Sequence, residues 1–396
     1  MRIALINNNN NIMFSVARHL RDSGHDATLL LMDNEFLEWP HFHPSCDTFD
    51  LDYQRFTKEL SWGTASRFSL DDIATVKRDL APYDFVIGCG TAPAYMARIG
   101  RSLDVFIPFG NDLCEGPFRP PNFNRRSLRS LVAYPFWQRR GILGTRYVFA
   151  DISPTYMEPH LARLGYKGKR VFASPPLPYA SLYKPEVLEG YVDRTYWYPL
   201  VKEFRGRLDV MVTSHSRHIW KGATIHNWSK GTDKLIRALA TVKQRKPGAR
   251  VGIVFYEYGP DVAASRALVD ELGLSDDVLW LPRSTRKDIM VNLMLSDFGC
   301  GEFGPDSWYM GGAVAEVLCM GKPLFHRRDD SMFASLYPDM YPMIDVQSPD
   351  DIVRAICGFL ESPGKYREMG QAARLWFEEH ISRRSLAALE NLIEGR

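Results

Sequence analysis

Two cations and one carboxylate have the types and positions that could do chemistry in this chain. Arg217 stands in SerHisSerArgHisIleTrp (214–220), just after an apolar run that reads as a strand, and Lys230 stands just before a run with helical periodicity. Fixed cations and backbone donors in such a strand–loop–helix can neutralise charge developing on a diphosphate leaving group. Gly231 lets the backbone come close, and the helix start adds its dipole. Taken singly, each cation reads as a solvated surface group; the pair flanking one loop reads as a site. Glu316 lies among Ala313, Val314, Val317 and Leu318 on an apolar helical run. A carboxylate there is costly unless it has partners, and its bland alternative is an exposed helix glutamate.

Alternating strands and helices must position these groups. In the first half, apolar runs at Arg2–Ile6, Ala27–Met32, Phe85–Ile87, Val105–Pro108 and Arg146–Ala150 read as strands. A helix from Ile12 carries Ile12, Val16 and Leu20 on one face and ends at Gly24. Ser153-Pro154 reads as a helix cap followed by Pro at the first helical position. Between Ser174 and Arg207 the pattern gives way to a Pro- and Tyr-rich stretch, as at a domain boundary. Strands then follow at Leu208–Thr213, Arg250–Tyr256, Val278–Leu281 and Pro323–Phe325, with helices at Thr232–Val242, Asp261–Leu272, Thr285–Leu295 and Gly311–Met320 and a helical tail from Pro349. Short apolar strands alternating with helices imply parallel sheets covered on both faces. The fold expected is α/β: two doubly wound Rossmann-like domains facing across a cleft. The expected boundaries are an acceptor-side domain over 1–180, a linker over 181–207, a nucleotide-binding domain over 208–375, and a C-terminal helix over 376–396 that can return to the first domain.

The 396-residue length suits two domains, and a net charge of +2 gives no reason to expect nucleic acid as a partner. Six scattered cysteines without a CxxC pair argue for reduced thiols and against a zinc site. The two histidines of ProHisPheHisProSer (40–45) read as a plain loop more readily than as a metal pair. The apolar start is too short for a secretory leader and no run is long enough to span a bilayer, so the cytoplasm is expected, including a peripheral place at the inner face of the membrane.

Several segments together resemble the large retaining group of GT-B enzymes called glycosyltransferase family four. SerLysGlyThrAspLysLeuIle (229–236) looks like its Lys-Gly helix start, and GluLeuGlyLeuSerAspAspValLeuTrpLeu (271–281) is similar to its lead into the nucleotide loop. GlyGlyAlaValAlaGluValLeuCysMetGlyLysProLeu (311–324) resembles its donor-binding helix, AspIleSerProThrTyr (151–156) its sixth-strand region, and LeuTyrLysPro (182–185) its domain linker. The resemblance implies a GT-B fold and transfer of a sugar from a nucleotide-sugar to a glycan, lipid-linked or other acceptor, without metal or cofactor. Arg217 and Lys230 would hold the diphosphate, Gly231, Gly304, Gly311 and Gly312 would admit the donor's backbone contacts, and Glu316 would accept from the ribose. A nucleotide-sugar epimerase, or a non-catalytic nucleotide-sugar-binding protein, on the same scaffold is the alternative.

The chain departs from the family in two places. The family's second glutamate would fall eight positions before Glu316, where Trp308 stands; Glu302 or Asp306 then has to meet the sugar. ProPheGlyAsnAspLeu (108–113) resembles the family's His-Gly-x-Asp loop with Phe109 in place of histidine, leaving Asn111 and Asp112 on the acceptor side. The loop after the first strand, usually Gly-rich, is here Asn8, Asn9, Asn10 and Asn11, residues that tolerate left-handed backbone and read equally as an acceptor site or as a turn and cap. Finally, residues 116–150 hold seven arginines, several aromatics and no acid. That stretch suits an anionic or membrane-borne acceptor, or else a helix packed on the first sheet with solvated arginines.

Overall fold

The computed structural model describes residues 1–32, 40–118, 128–150, 157–221, 229–304, 310–333, 337 and 339–395. The chain forms two compact units, Met1–Tyr179 with Ile381–Arg396, and Ala180–His380. The segment 151–156, including Ser153-Pro154, lies outside the described residues, as do Asp306 and Trp308.

The first unit is built on seven parallel strands: β1 (Arg2–Ile6), β2 (Asp26–Leu31), β3 (Thr57–Glu59), β4 (Phe85–Gly88), β5 (Val105–Phe106), β6 (Tyr147–Ala150) and β7 (Lys169–Phe172), in the order β3-β2-β1-β4-β5-β6-β7. Alternate residues of β1 enter opposite cores, which is why such strands read as unbroken apolar runs. Ala4 and Ile6 pack with Val76, Tyr95, Met96, Ile142 and Leu161, from helices Ile73–Leu80, Ala92–Arg98, Leu128–Gly144 and Met157–Leu164. Ile3 and Leu5 pack on the other face with Val16 and Leu20 of helix Ile12–Asp22 and with Leu389 and Ile393 of helix Ser385–Glu394.

The second unit has six parallel strands: β8 (Val210–Ser214), β9 (Val251–Glu257), β10 (Val278–Pro282), β11 (Phe298–Cys300), β12 (Leu324–His326) and β13 (Ile344–Asp345), in the order β10-β9-β8-β11-β12-β13. Val210, Val212, Ile253 and Phe255 meet Leu235 and Leu239 of helix Thr232–Arg245 and Ile352 and Ile356 of helix Pro349–Glu361. On the opposite face Met211, Val254 and Tyr256 meet Val201 and Phe204 of helix Tyr198–Gly206. That helix lies within the aperiodic stretch; Pro199 sits in its first turn, where a missing N–H costs nothing.

In each sheet the winding reverses beside the first strand, between β1 and β4 and between β8 and β11. Loops leaving the carboxyl ends of strands at such a reversal are where doubly wound sheets bind ligands.

Candidate functional site

The loops leaving β8 and β11 are tied to one another and to the start of helix Thr232–Arg245. Ser216 Oγ donates to the Gly301 carbonyl at 3.0 Å, the Lys230 N–H donates to Ile219 O at 2.6 Å, and the Phe303 N–H donates to Lys230 O at 2.9 Å. Gly304 makes this approach possible, since a Cβ there would lie 1.8 Å from the Ser229 carbonyl oxygen. Gly231 caps the helix start in the left-handed region, φ 67°. Sequence and packing thus bring Arg217, Lys230, Gly231, Glu302 and Gly304 to one switch point.

Lys230 Nζ lies 2.5 Å from Glu302 Oε1. A Cβ on Gly311 would lie 3.5 Å from the same oxygen, so the carboxylate sits at the open first turn of helix Gly312–Cys319, where the dipole favours negative charge. Glu302 is therefore delivered to Lys230 and the helix start, while Asp306 lies outside the described residues. Its main chain is fixed by the neighbouring strand end: the Arg327 N–H donates to Glu302 O at 2.8 Å, and the Glu302 N–H donates to His326 Nδ1 at 3.1 Å.

Arg217 is placed by a tightly held loop. His218 N donates to Tyr258 O at 2.7 Å, and Trp220 N and Lys221 N donate to Asp261 Oδ2 at 2.6 and 2.8 Å. Among the described residues no carboxylate pairs with Arg217, and its buried Nε has no hydrogen-bond partner. Its guanidinium lies 5.5 Å from the Tyr258 ring centre, and that of Arg283 lies 4.5 Å from the same ring. A half-buried guanidinium without a carboxylate partner among the described residues thus stands on the same ring as a second guanidinium.

Glu316 is buried, and its partners are protein groups that sequence reasoning missed. Arg286 Nε donates to Oε1 at 2.6 Å, and His215 Nε2 lies 2.8 Å from Oε2. Burial pushes this carboxyl up, but the Arg286 guanidinium and the His215 ring outweigh it and hold Glu316 at about 2. His215 stands in the motif already singled out for Arg217. Arg286 opens helix Arg286–Met294 after the N-cap Thr285, a position that by pattern reads as surface.

In the first unit, the loops after β1, β4 and β5 converge. Asn7, Asn10 and Asn11 have positive φ, and the Asn7 side chain lies over Gly90, where a Cβ would meet it at 1.9 Å. Asn8 is fully buried and works as a clamp: Oδ1 accepts from Phe14 N at 2.9 Å, and Nδ2 donates to Asn11 Oδ1 and to Phe42 O, both at 2.8 Å. Asp112 is buried too, accepting from Gly90 N at 2.9 Å and from Phe109 N and Gly110 N at 3.1 Å. Both side chains hold loops in place, whereas Asn9 and Asn10 are half-buried and Asn111 is exposed. His43 accepts from Ser45 N and caps the turn Pro44–Cys46, while the His41 ring packs 4.3 Å from that of Phe42.

Comparison with protein-family models gives no match, and comparison with curated protein sequences gives none either. Solved structures do match over the whole chain. The Anabaena protein HepE in complex with UDP and glucose aligns with a TM-score of 0.66 at 15% identity, covering 100% of both chains. WaaG, a glycosyltransferase involved in lipopolysaccharide biosynthesis, aligns at 0.59 and 13% identity over 100% of both chains. The UDP-GlcNAc 2-epimerase from Neisseria meningitidis bound to UDP-GlcNAc aligns at 0.57 and 13% identity, again over 100% of both. The chain accordingly has the GT-B fold, two doubly wound Rossmann-like units, the second of which carries the cations, carboxylates and open helix start described above.

Proposed function

We propose that this chain is a glycosyltransferase that moves a sugar, with retention, from a nucleotide-sugar bound by the second unit to a glycan or lipid-linked acceptor, in the manner of the family-four enzymes. The observation that carries this reading is the group at the β8/β11 switch point. There Arg217, which has no carboxylate partner among the described residues, the Lys230–Glu302 pair and the start of helix Gly312–Cys319 gather on loops held by backbone bonds. HepE, which shares the fold, binds UDP with glucose.

In this reading Arg217 and Lys230 bind the diphosphate, Lys230 exchanging Glu302 for a phosphate oxygen. Gly231, Gly304, Gly311 and Gly312 let ligand atoms approach the main chain. Glu316, kept ionised by Arg286 and His215, accepts from the ribose, and Glu302, released from Lys230, meets the sugar. Stabilising the leaving diphosphate supplies most of the rate, and its oxygen takes the acceptor's proton. Asn9, Asn10 and Asn111 are the first unit's candidates for the acceptor; Asp112 and Asn8 position the loops that present them. No cofactor has a role in this scheme.

The test is release of nucleoside diphosphate from a panel of nucleotide-sugars with candidate acceptors. Arg217→Ala and Lys230→Ala should each lower turnover by roughly 100-fold or more with the circular dichroism spectrum unchanged. Near-normal rates in both would remove these residues from the site. The match to an epimerase favours a second reading, in which the donor itself is rearranged. Conversion of a nucleotide-sugar to its epimer with no acceptor present would select it.

A further inference from the structure

On helix Leu128–Gly144, Phe136, Arg139, Arg140 and Leu143 recur at three- and four-residue spacing and so share one face. That face is exposed: Phe136 and Leu143 show 57% and 46% of their surface to solvent. Arg139 and Leu143 line a cavity of about 310 Å³ with Phe118 and with Arg163 and Leu164 of helix Met157–Leu164. The guanidinium groups of Arg139 and Arg163 lie 5.6 and 4.1 Å from the Phe118 ring, so two cations share one apolar floor. Among the described residues no carboxylate forms an ion pair with Arg139, Arg140, Arg163 or Lys167, and Glu158 of the same helix as Arg163 pairs with Arg170 at 2.9 Å.

Arg139 also donates from Nε to the Pro117 carbonyl, but among the described residues no carboxylate neutralises the cluster. Clustered cations repel one another, and large apolar groups between them gain nothing in water. An anionic bilayer surface satisfies both, because guanidinium groups fork onto phosphate while apolar side chains reach the acyl boundary. A nucleic acid would match the charge but offers no hydrocarbon to Leu143. We propose that this face docks the first unit onto a membrane surface rich in anionic phospholipid. Arg139 and Arg163 hold a lipid phosphate at their shared cavity, and Phe136 and Leu143 enter the acyl boundary. This inference stands independently of the sugar-transfer reading.

Co-sedimentation with phosphatidylcholine vesicles, with and without phosphatidylglycerol, tests it. Binding should require the anionic lipid and weaken with salt, since screening shortens the reach of charge to about 8 Å at physiological ionic strength. Each cation near such a surface is worth roughly a fivefold change in binding, so Arg140→Ala with Arg163→Ala should weaken it roughly 25-fold. Arg140→Lys with Arg163→Lys should largely restore it. Phe136→Ser with Leu143→Ser should abolish the part that persists at high salt. All these positions are exposed, and every variant should keep the wild-type melting temperature. Absence of binding to anionic vesicles at low salt, undiminished binding by the double alanine variant, or retention by duplex DNA instead of vesicles would overturn the proposal.

Discussion

A carboxylate enclosed on an apolar helix face must find cations or give up its charge, and at Glu316 Arg286 and His215 decide the matter. Glu316→Gln therefore removes a carboxylate partner of a buried guanidinium. Stability should fall by roughly 3–5 kcal/mol in urea unfolding, and nucleotide binding should fail with it. Arg286→Met with Glu316→Leu, which removes both charges, should recover much of the stability and none of the binding. The histidines set the response to acid. Burial, aided by Arg18, lowers His19 to about 4; burial lowers His218 to about 4 against the pull of Asp261. At these two sites the unfolded chain holds more protons than the fold between about pH 6.5 and 4, so their contribution is full above that window and drains as pH falls through it; Asp112, raised to about 7 by burial, works in the opposite direction and offsets part of the loss. Glu316 adds a second loss further down, between its ordinary range and about 2. Urea midpoints at pH 7 and pH 5 should differ accordingly, and His218→Gln should reduce the difference. The burial cost that marks Glu316 in the sequence is real, but its partners lie 30 and 101 positions away, so pattern alone could not name them.

At the scale of elements, the loops at the two switch points are held by single groups whose replacement should be felt. Gly304→Ala would drive a Cβ into the Ser229 carbonyl, a backbone atom that cannot swing aside. Lys230 should lose its place, lowering the melting temperature by several degrees and weakening nucleotide binding more than a surface change would. Asp112 is pushed up to about 7 by burial, while three backbone N–H groups favour its charged form. Asn in its place would turn an amide N–H₂ toward one of those donors, so Asp112→Asn should destabilise by about 1–3 kcal/mol in urea unfolding, although it is neutral and isosteric. The main alternation of strand and helix is legible because strands covered on both faces are largely apolar, as Ile3–Ile6 of β1, β4 and Val210–Val212 of β8 are. Some of the short strands are not. Phe298–Cys300 is three residues long with Gly299 at its centre, and Thr57–Glu59 is a polar edge strand. Helix Tyr198–Gly206 escaped because Pro199 reads as a breaker when it is a first-turn residue.

At the scale of the molecule, a net charge of +2 conceals an exposed basic face on the first unit, visible in the sequence as an acid-free run over residues 116–150. The GT-B architecture is legible too, since the order of elements survives where identity to the matched structures is 13–15%. What the order of elements does not carry is which groups face a ligand. Asn8 and Asp112 stand in loops of the right kind, yet their side chains are turned inward onto backbone, while Glu302, fourteen positions before Glu316, is the acid carried to the helix start. The central claim is that the β8/β11 switch point of the second unit holds the diphosphate of a nucleotide-sugar. A ligand that binds only the folded chain stabilises it by an amount that grows with the logarithm of one plus ligand over dissociation constant, and so raises its melting temperature. A thermal-shift titration of the intact protein with nucleoside diphosphates and nucleotide-sugars measures this most directly. At least one of them should raise the melting temperature progressively with its concentration, and the rise should vanish in Arg217→Ala with Lys230→Ala. No rise with any member of the panel, or an undiminished rise in that double variant, would contradict the account.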